Sequence, residues 1–393
     1  MRFPEFKDEW IEVSLDKIVS RVTRKNKDNE TDIPLTISAQ NGLVDQRDFF
    51  NKVVASDNLT NYFLLKNGEF AYNKSYSAGY PWGAIKRLDK YEQGALSSLY
   101  ICFAANQNVN SDYLVQYFET SKWYKVVSDI AGEGARNHGL LNVSVTEFFK
   151  TKHIVASNCN EQQKIAKFLS LLDKRIELQK SAIEKLKSLK YAIREKLFST
   201  EESKESVVLS DVVERVTRKN KYNETNVPLT ISAQYGLVSQ NIFFNKTIAS
   251  ENLANYYLLK RGEFAYNKSY SSDYAWGAIK RLNKYNQGAL SPLYICFRPK
   301  SNVDSDYLSH YFETSKWHKA VSDIAGEGAR NHGLLNISVI DFFNTKHCIT
   351  TDTSKQKRIS KYLDTFDKRI EIETKLLDLY KAQKNFLLSK MFI

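Results

Sequence analysis

Two stretches of the chain carry apolar and polar residues in an uninterrupted helical rhythm. Residues 161–199 read EQQKIAKFLSLLDKRIELQKSAIEKLKSLKYAIREKLFS. They contain neither glycine nor proline and are dominated by strong helix formers. Leu172, Ile176, Ile183, Leu186, Ile193 and Leu197 follow one another at steps of 4, 7, 3, 7 and 4, an a/d seam with polar interruptions at Gln179 and Lys190. The second stretch, KQKRISKYLDTFDKRIEIETKLLDLYKAQKNFLLSKMF, keeps the stripe as Phe366, Ile370, Leu377, Tyr380 and Leu387. At ~1.5 Å per residue each helix is roughly 55 Å long. A lone helix of that length cannot bury its stripe, so the two are predicted to pair. Antiparallel pairing is the simplest geometry, because it sets one globular part at each end of a rod. The alternative is that each helix packs only on its own domain.

The residues before each long helix have a different pattern. GALSSLYICF and GEFAYN read as short strands entered from glycine turns. SDYLVQYFETSKWYKVVSDIAG has Leu114, Tyr117 and Phe118 at helical spacing and reads as one helix closed at Gly132. The predicted fold class is therefore α+β: two globular mixed α/β domains, at 1–158 and 200–352, separated by long coiled-coil helices at 159–199 and 353–393.

The two halves are copies of each other. RVTRKNK stands at 21–27 and again at 215–221, and an alignment at that offset needs no gap from residue 21 onward. Over 21–150 against 215–344, 98 of 130 positions are identical. GEFAYNKSY, WGAIKRL and SDIAGEGARNHGLLN all recur. So long a period excludes a solenoid and indicates a duplicated domain-plus-helix unit.

Charge narrows the function. The 393 residues carry a net +12, which suits a polyanion, or serves solubility alone. No apolar run reaches transmembrane length, and MRFPEFKDEW lacks the apolar centre of a signal peptide. None of Cys102, Cys159, Cys296 and Cys348 sits in a C-x-x-C pair, so buried free thiols in a cytoplasmic, reducing setting are expected, and no metal site. There is no G-x-x-x-x-G-K-[ST] and no Asn-Pro-Pro-aromatic or Asp-Pro-Pro-aromatic tetrapeptide. GEGARNHG lacks a preceding strand and the dinucleotide spacing, and reads as a loop. No catalytic residues are assigned.

The whole arrangement resembles the specificity subunit of Type I restriction-modification systems. The helical motif carries most of the likeness, with its Glu-Gln opening, KIAKFLS, LDKRIE and terminal Lys-Leu-Phe; EWIEVSLDKIVS, AYNKSY with GAIKRL, and GLLNVSVTEFF add to it. Two departures affect how the helices are launched. Asn158 replaces the family's proline, and Lys355-Gln356 replaces the second Glu-Gln. The resemblance implies a non-catalytic subunit whose two target-recognition domains each read half of a split double-stranded DNA site. It implies methyltransferase (modification) subunits, two of them, docking on the helices, with restriction/translocase subunits joining them. S-adenosylmethionine, ATP and Mg would belong to those partners, and this chain would need no cofactor. The alternative is a tandem DNA-binding scaffold or regulator without modification partners; a self-sufficient DNA methyltransferase is the reading from another class.

Duplex recognition needs groups that position on phosphates and groups that read base edges. Three loops per copy offer them. Arg24, Lys25 and Lys27, with Arg218, Lys219 and Lys221, form either a phosphate clamp or a solvated basic loop. In AYNKSYSAGYPWG, the residues Asn73, Lys74, Ser75 and Tyr76 are candidates for DNA contact, with Trp82 read as packing; Asn267, Lys268, Ser269 and Tyr270 correspond. In GEGARNHGLLN, Arg136 suits guanine, Asn137 suits adenine, and His138 either reads a base or makes a structural hydrogen bond; Arg330, Asn331 and His332 correspond. Gln40 and Gln234 add an amide suited to adenine.

Overall fold

The computed structural model describes residues 1–50, 58–77, 79–131, 139–199, 205–244, 252–270, 274–325 and 333–393. The first copy runs β1 (Ile11–Ser14), α1 (Leu15–Ile18), β2 (Val19–Arg21), β3 (Pro34–Ser38), β4 (Gly42–Asp45), α2 (Gln46–Phe50), β5 (Phe63–Lys66) and β6 (Phe70–Asn73). It continues with β7 (Ala84–Arg87), β8 (Gln93–Leu96), β9 (Ile101–Ala105), α3 (Ser111–Phe118), α4 (Tyr124–Ile130), α5 (Val145–Lys150), β10 (Lys152–Val155) and the long α6 (Cys159–Leu197). The second copy repeats this as β11 (Glu205–Val208), α7 (Leu209–Val212), β12 (Val213–Arg215), β13 (Pro228–Ser232), β14 (Gly236–Ser239), α8 (Gln240–Phe244), β15 (Tyr257–Lys260) and β16 (Phe264–Asn267). It closes with β17 (Ala278–Arg281), β18 (Gln287–Leu290), β19 (Ile295–Pro299), α9 (Ser305–Phe312), α10 (His318–Ser322), α11 (Val339–Phe343), β20 (Lys346–Ile349) and α12 (Thr353–Met391).

Each globular part holds two four-stranded sheets and a two-stranded ribbon. In the first copy the sheet orders are β4-β3-β8-β5 and β2-β9-β6-β7, with β1 paired to β10; the second copy has the same orders. Alternation along β6 shows how one strand serves two cores. Phe70 and Tyr72 face a core with Phe103, Trp123 and Phe148, while Ala71 between them joins Leu35, Leu65 and Cys102. Close approach requires glycine next to this strand. A Cβ on Gly83, whose φ is +80°, would lie 2.1 Å from the Asn73 carbonyl oxygen, and Gly277 meets Asn267 identically.

The single helix expected over 111–132 is instead two, α3 and α4. Between them the chain turns so that Trp123, 1% exposed, drops into the core and its indole Nε1 donates to the Phe118 carbonyl at 3.1 Å, capping α3. Trp317 does the same for Phe312 at 3.0 Å. Burying a tryptophan outweighed helix continuity. Gly132 lies outside the described residues. The thiols also differ from expectation. Cys102 and Cys296 are buried, and desolvation pushes both up to about 12, whereas Cys159 and Cys348 are exposed. Cys159 opens α6, and Cys348 sits on the outward side of β20, where residues alternate.

The chain forms two compact units: Met1–Lys180 with Lys375–Ile393, and Ser181–Thr374. Each therefore holds one globular part, the first half of the helix that follows it, and the far end of the other helix. In the first unit Leu387, Leu388, Met391 and Phe392 complete the core, and the Phe392 ring lies 5.3 Å from Tyr113 and 5.8 Å from Tyr117. In the second, Phe198 lies 5.1 Å from Tyr307 and 5.6 Å from Tyr311. Within each unit the two helix segments run antiparallel. Asp173 pairs with Lys384 at 2.5 Å and Arg175 lies over the Tyr380 ring at 4.3 Å; in the other unit Lys190 pairs with Asp367 at 2.5 Å while Leu363 shares a core with Phe198. Ile176, Ile183, Leu377 and Leu387 are buried along these helices, and Leu172, Leu186, Ile193, Phe366, Ile370 and Tyr380 are half-buried.

Both departures at the helix starts have physical explanations. The Asn158 side chain accepts from the Asn160 amide at 2.9 Å, and Asp352 accepts from Ser354 at 2.8 Å, so each caps its helix N-terminus where a proline could not. Gln162 and Gln356 both anchor the helix to the globular part, accepting from the amide of Asn110 or Asp304 at 2.8 Å. Glu161, fully buried, receives Arg2 at 2.6 Å, and Lys164 pairs with Glu5. In the second copy Lys355 and Arg358 stand where Glu161 and Lys164 do.

Candidate nucleic-acid interface

The identical heptapeptides RVTRKNK run beside the edge strands β5 and β15, where several of their side chains are engaged within the domain. Arg24 donates twice to Glu69, at 2.9 and 2.8 Å, and Arg218 does so to Glu263 at 3.0 and 2.8 Å. Lys25 donates to the Asn61 carbonyl at 2.8 Å and lies 4.0 Å from the Phe63 ring centre; Lys219 is held in the same way against Asn255 and Tyr257. Asn26 and Asn220 are fully buried and staple the following turn by bonds to Thr31 and Thr225. Lys27 and Lys221 remain exposed.

The other loops converge. Ser75 forms an isolated antiparallel bridge with Leu140, the Tyr76 amide donates to Gly139 at 2.7 Å, and the Leu141 amide donates to Lys74 at 2.9 Å. Ser269 with Leu334, Tyr270 with Gly333, and Leu335 with Lys268 repeat the arrangement. The backbone of AYNKSY is therefore zipped to the residues that follow GEGARNH. Arg136, Asn137, His138, Arg330, Asn331 and His332 lie outside the described residues, immediately before that zipper.

Gln40 joins this second group. It sits in the turn between β3 and β4, at the sheet edge opposite β5 and the heptapeptide. With Asn41, Phe49, Asn73, Ser75, Ser77 and Tyr80 it lines a concavity of about 430 Å³. The walls offer three side-chain amides, three serine hydroxyls and a phenol over an apolar floor of Ile37 and Ala84. Asn73 accepts from the Ser75 amide at 2.9 Å, which shapes the turn. Burial, then the charge of Glu119, raises the Tyr80 pKa, so its hydroxyl stays a donor at neutral pH. Tyr76 is half exposed above the zipper, while Trp82 is partly buried against the core, its carbonyl accepting from Tyr72 at 2.8 Å. Such a surface can pair with base edges but contains no nucleophile–base pair among the described residues.

Gln234 occupies the same turn of the second copy, but lines a larger concavity, about 660 Å³, with Lys187, Lys190, Arg194 and Asp367. At the neighbouring position, Asn41 of the first copy is Tyr235 in the second, 61% exposed. The periodicities could not reveal that Gln40 shares a cavity with Asn73, because a strand crossing separates them. Neither could they show that Arg24 and Lys25 are already engaged.

No protein-family profile matches the chain, and no curated protein does. Solved structures do match. The Type I restriction-modification system S subunit from M. genitalium aligns over 100% of this chain and 99% of its own, with a TM-score of 0.55 and 15% identity. A chain from a structure concerned with complex assembly and conformational transition of the type I R-M system covers 98% of both, with a TM-score of 0.56 and 14% identity. Over its whole length, this chain has the fold of a Type I restriction-modification S subunit.

Proposed function

We propose that this chain is the DNA-recognition subunit of a Type I restriction-modification complex, itself without catalytic activity, and that each globular part reads one half of a bipartite, near-palindromic duplex site. The observation that carries the proposal is the same polar surface built twice: AYNKSY zipped to the loop after GEGARNH, on two copies of one fold. Shared fold with S subunits and a charge of +12 support it. Near-identical readers facing opposite strands see near-identical half-sites, roughly 34 Å or one helical turn apart. In this reading Lys27 and Lys221 meet phosphates, and Gln40, Lys74, Ser75 and Arg136, with their counterparts, meet bases.

The long helices supply the surface for modification subunits. Their outer sides carry apolar groups without core partners at heptad spacing: Ile372, Leu379 and Phe386, each more than half exposed, with Leu171 and Leu178 on α6. The test is co-purification. A tagged chain isolated from its own cells should bring down a methyltransferase, the assembly should bind duplex DNA, and S-adenosylmethionine should bind only when that partner is present. A chain that binds duplex DNA tightly with no companion would favour the scaffold or regulator, and one that binds S-adenosylmethionine alone would be a methyltransferase.

A further inference from the structure

One cluster of metal-ligating side chains stands apart from the recognition surface, and the internal duplication isolates it. His310 of α9 faces α12, where its Nε2 lies 2.9 Å from an Asp364 carboxylate oxygen. Asp367, one turn further along α12, completes a triad in which one ligand atom from each residue lies within 4.8 Å of the others. The first copy has Gln116, Ser170 and Asp173 at these positions. There the Gln116 amide donates to Asp173 at 2.8 Å, and Lys384 neutralises the carboxylate at 2.5 Å. Two sequence-distant replacements, glutamine by histidine and serine by aspartate, have both introduced metal ligands, and they meet in space.

The charge balance points the same way. Asp367 is already paired with Lys190 at 2.5 Å, as Asp173 is with Lys384. Asp364 therefore adds a negative charge with no counterpart in the first copy. The imidazole is 7% exposed, whereas the carboxylates are 39% and 51% exposed, Asp367 held by Lys190 and Asp364 by His310. Bonds of 2.0–2.2 Å to a tetrahedral ion place ligand atoms about 3.4 Å apart, a small contraction from the observed spread. Asp367 also lines the concavity of about 660 Å³, which gives an ion an entry path and leaves space for a fourth, solvent ligand.

We propose that His310, Asp364 and Asp367 form a binding site for a borderline divalent cation of the zinc type, present in the second copy only. The ion ties α9 to α12, replacing with coordination what Gln116 and Asp173 achieve with a hydrogen bond. No sequence spacing announces it, because the ligands lie 54 and 57 residues apart on two helices.

The test is titration of the full-length chain with Zn²⁺ by calorimetry and with Co²⁺ by visible absorption. The wild type should bind one equivalent that His310→Gln weakens at least tenfold. His310→Gln with Asp364→Ser rebuilds the arrangement of the first copy, which the fold already tolerates, and should lose that equivalent while keeping its metal-free Tm. Conversely, Gln116→His with Ser170→Asp should create a second equivalent. Identical titrations for the wild type and the rebuilt variant would show that the triad is an ion pair only and overturn the proposal.

Discussion

The two copies agree where the fold needs them to and part where the chain does different things. Trp123 and Trp317, His153 and His347, and Gly83 and Gly277 occupy equivalent places with equivalent partners. Differences gather at the helix interfaces and rims: Glu161 becomes Lys355, Gln116 becomes His310, Asn41 becomes Tyr235. In the first unit the N-terminal segment neutralises Glu161 through Arg2, whereas the second copy carries Lys355 at that position. The lesson is that repeat identity marks structural constraint as readily as function. In both copies of RVTRKNK the side chains of Arg24, Lys25 and Asn26, with Arg218, Lys219 and Asn220, hold an edge strand and a turn.

The comparison can be broken most severely at the helices. Replacing Ile176 and Ile183 together by Asp places two unpaired carboxylates on the buried stripe, at several kcal/mol. Gel filtration should show loss of partner assembly; intact complexes would refute the helix pairing. Phe198→Ala and Phe392→Ala should each cost about 3–5 kcal/mol in urea unfolding, by nearly equal amounts, because each plugs a core from the end of the other copy's helix. Unequal losses would break the equivalence.

The buried histidines sharpen it further. His153 lies between the Tyr117 and Thr151 hydroxyls at 2.8 Å each, and His347 between Tyr311 and Thr345. Desolvation holds both down at about 4, against 6.5 when unfolded. Their neutral state thus contributes fully above pH 6.5 and is lost as pH falls through that window to 4, by about 3 kcal/mol for each histidine. Thermal melts between pH 7 and pH 4.5 should show the loss, and His153→Asn with His347→Asn should flatten it. The smallest effect concerns reading. Gln40→Ala should weaken binding to one half-site by about 1–3 kcal/mol and leave the other unchanged, and Gln234→Ala should do the converse.

Much of this was legible beforehand. A seam from Leu172 to Leu197 identifies a paired helix because periodicity records burial directly, and the duplication is visible by alignment. Local competition was not legible. Nothing in SDYLVQYFETSKWYKVV reveals that Trp123 breaks the helix to reach the core, since that requires knowing where the core lies. The proximity of Gln40, Asn73 and Ser75 depends on the packing of β4 against β7, strands of two different sheets, and the His310 triad on a helix crossing; neither leaves a local pattern.

The central claim is that one recognition surface, built twice, reads DNA symmetrically. Selection from a randomised duplex library by the chain assembled with its partners tests it most directly. The account predicts a split target with two inverted, nearly identical half-sites about one helical turn apart. Recovery of one undivided site, or of two halves with unrelated sequences, would contradict it.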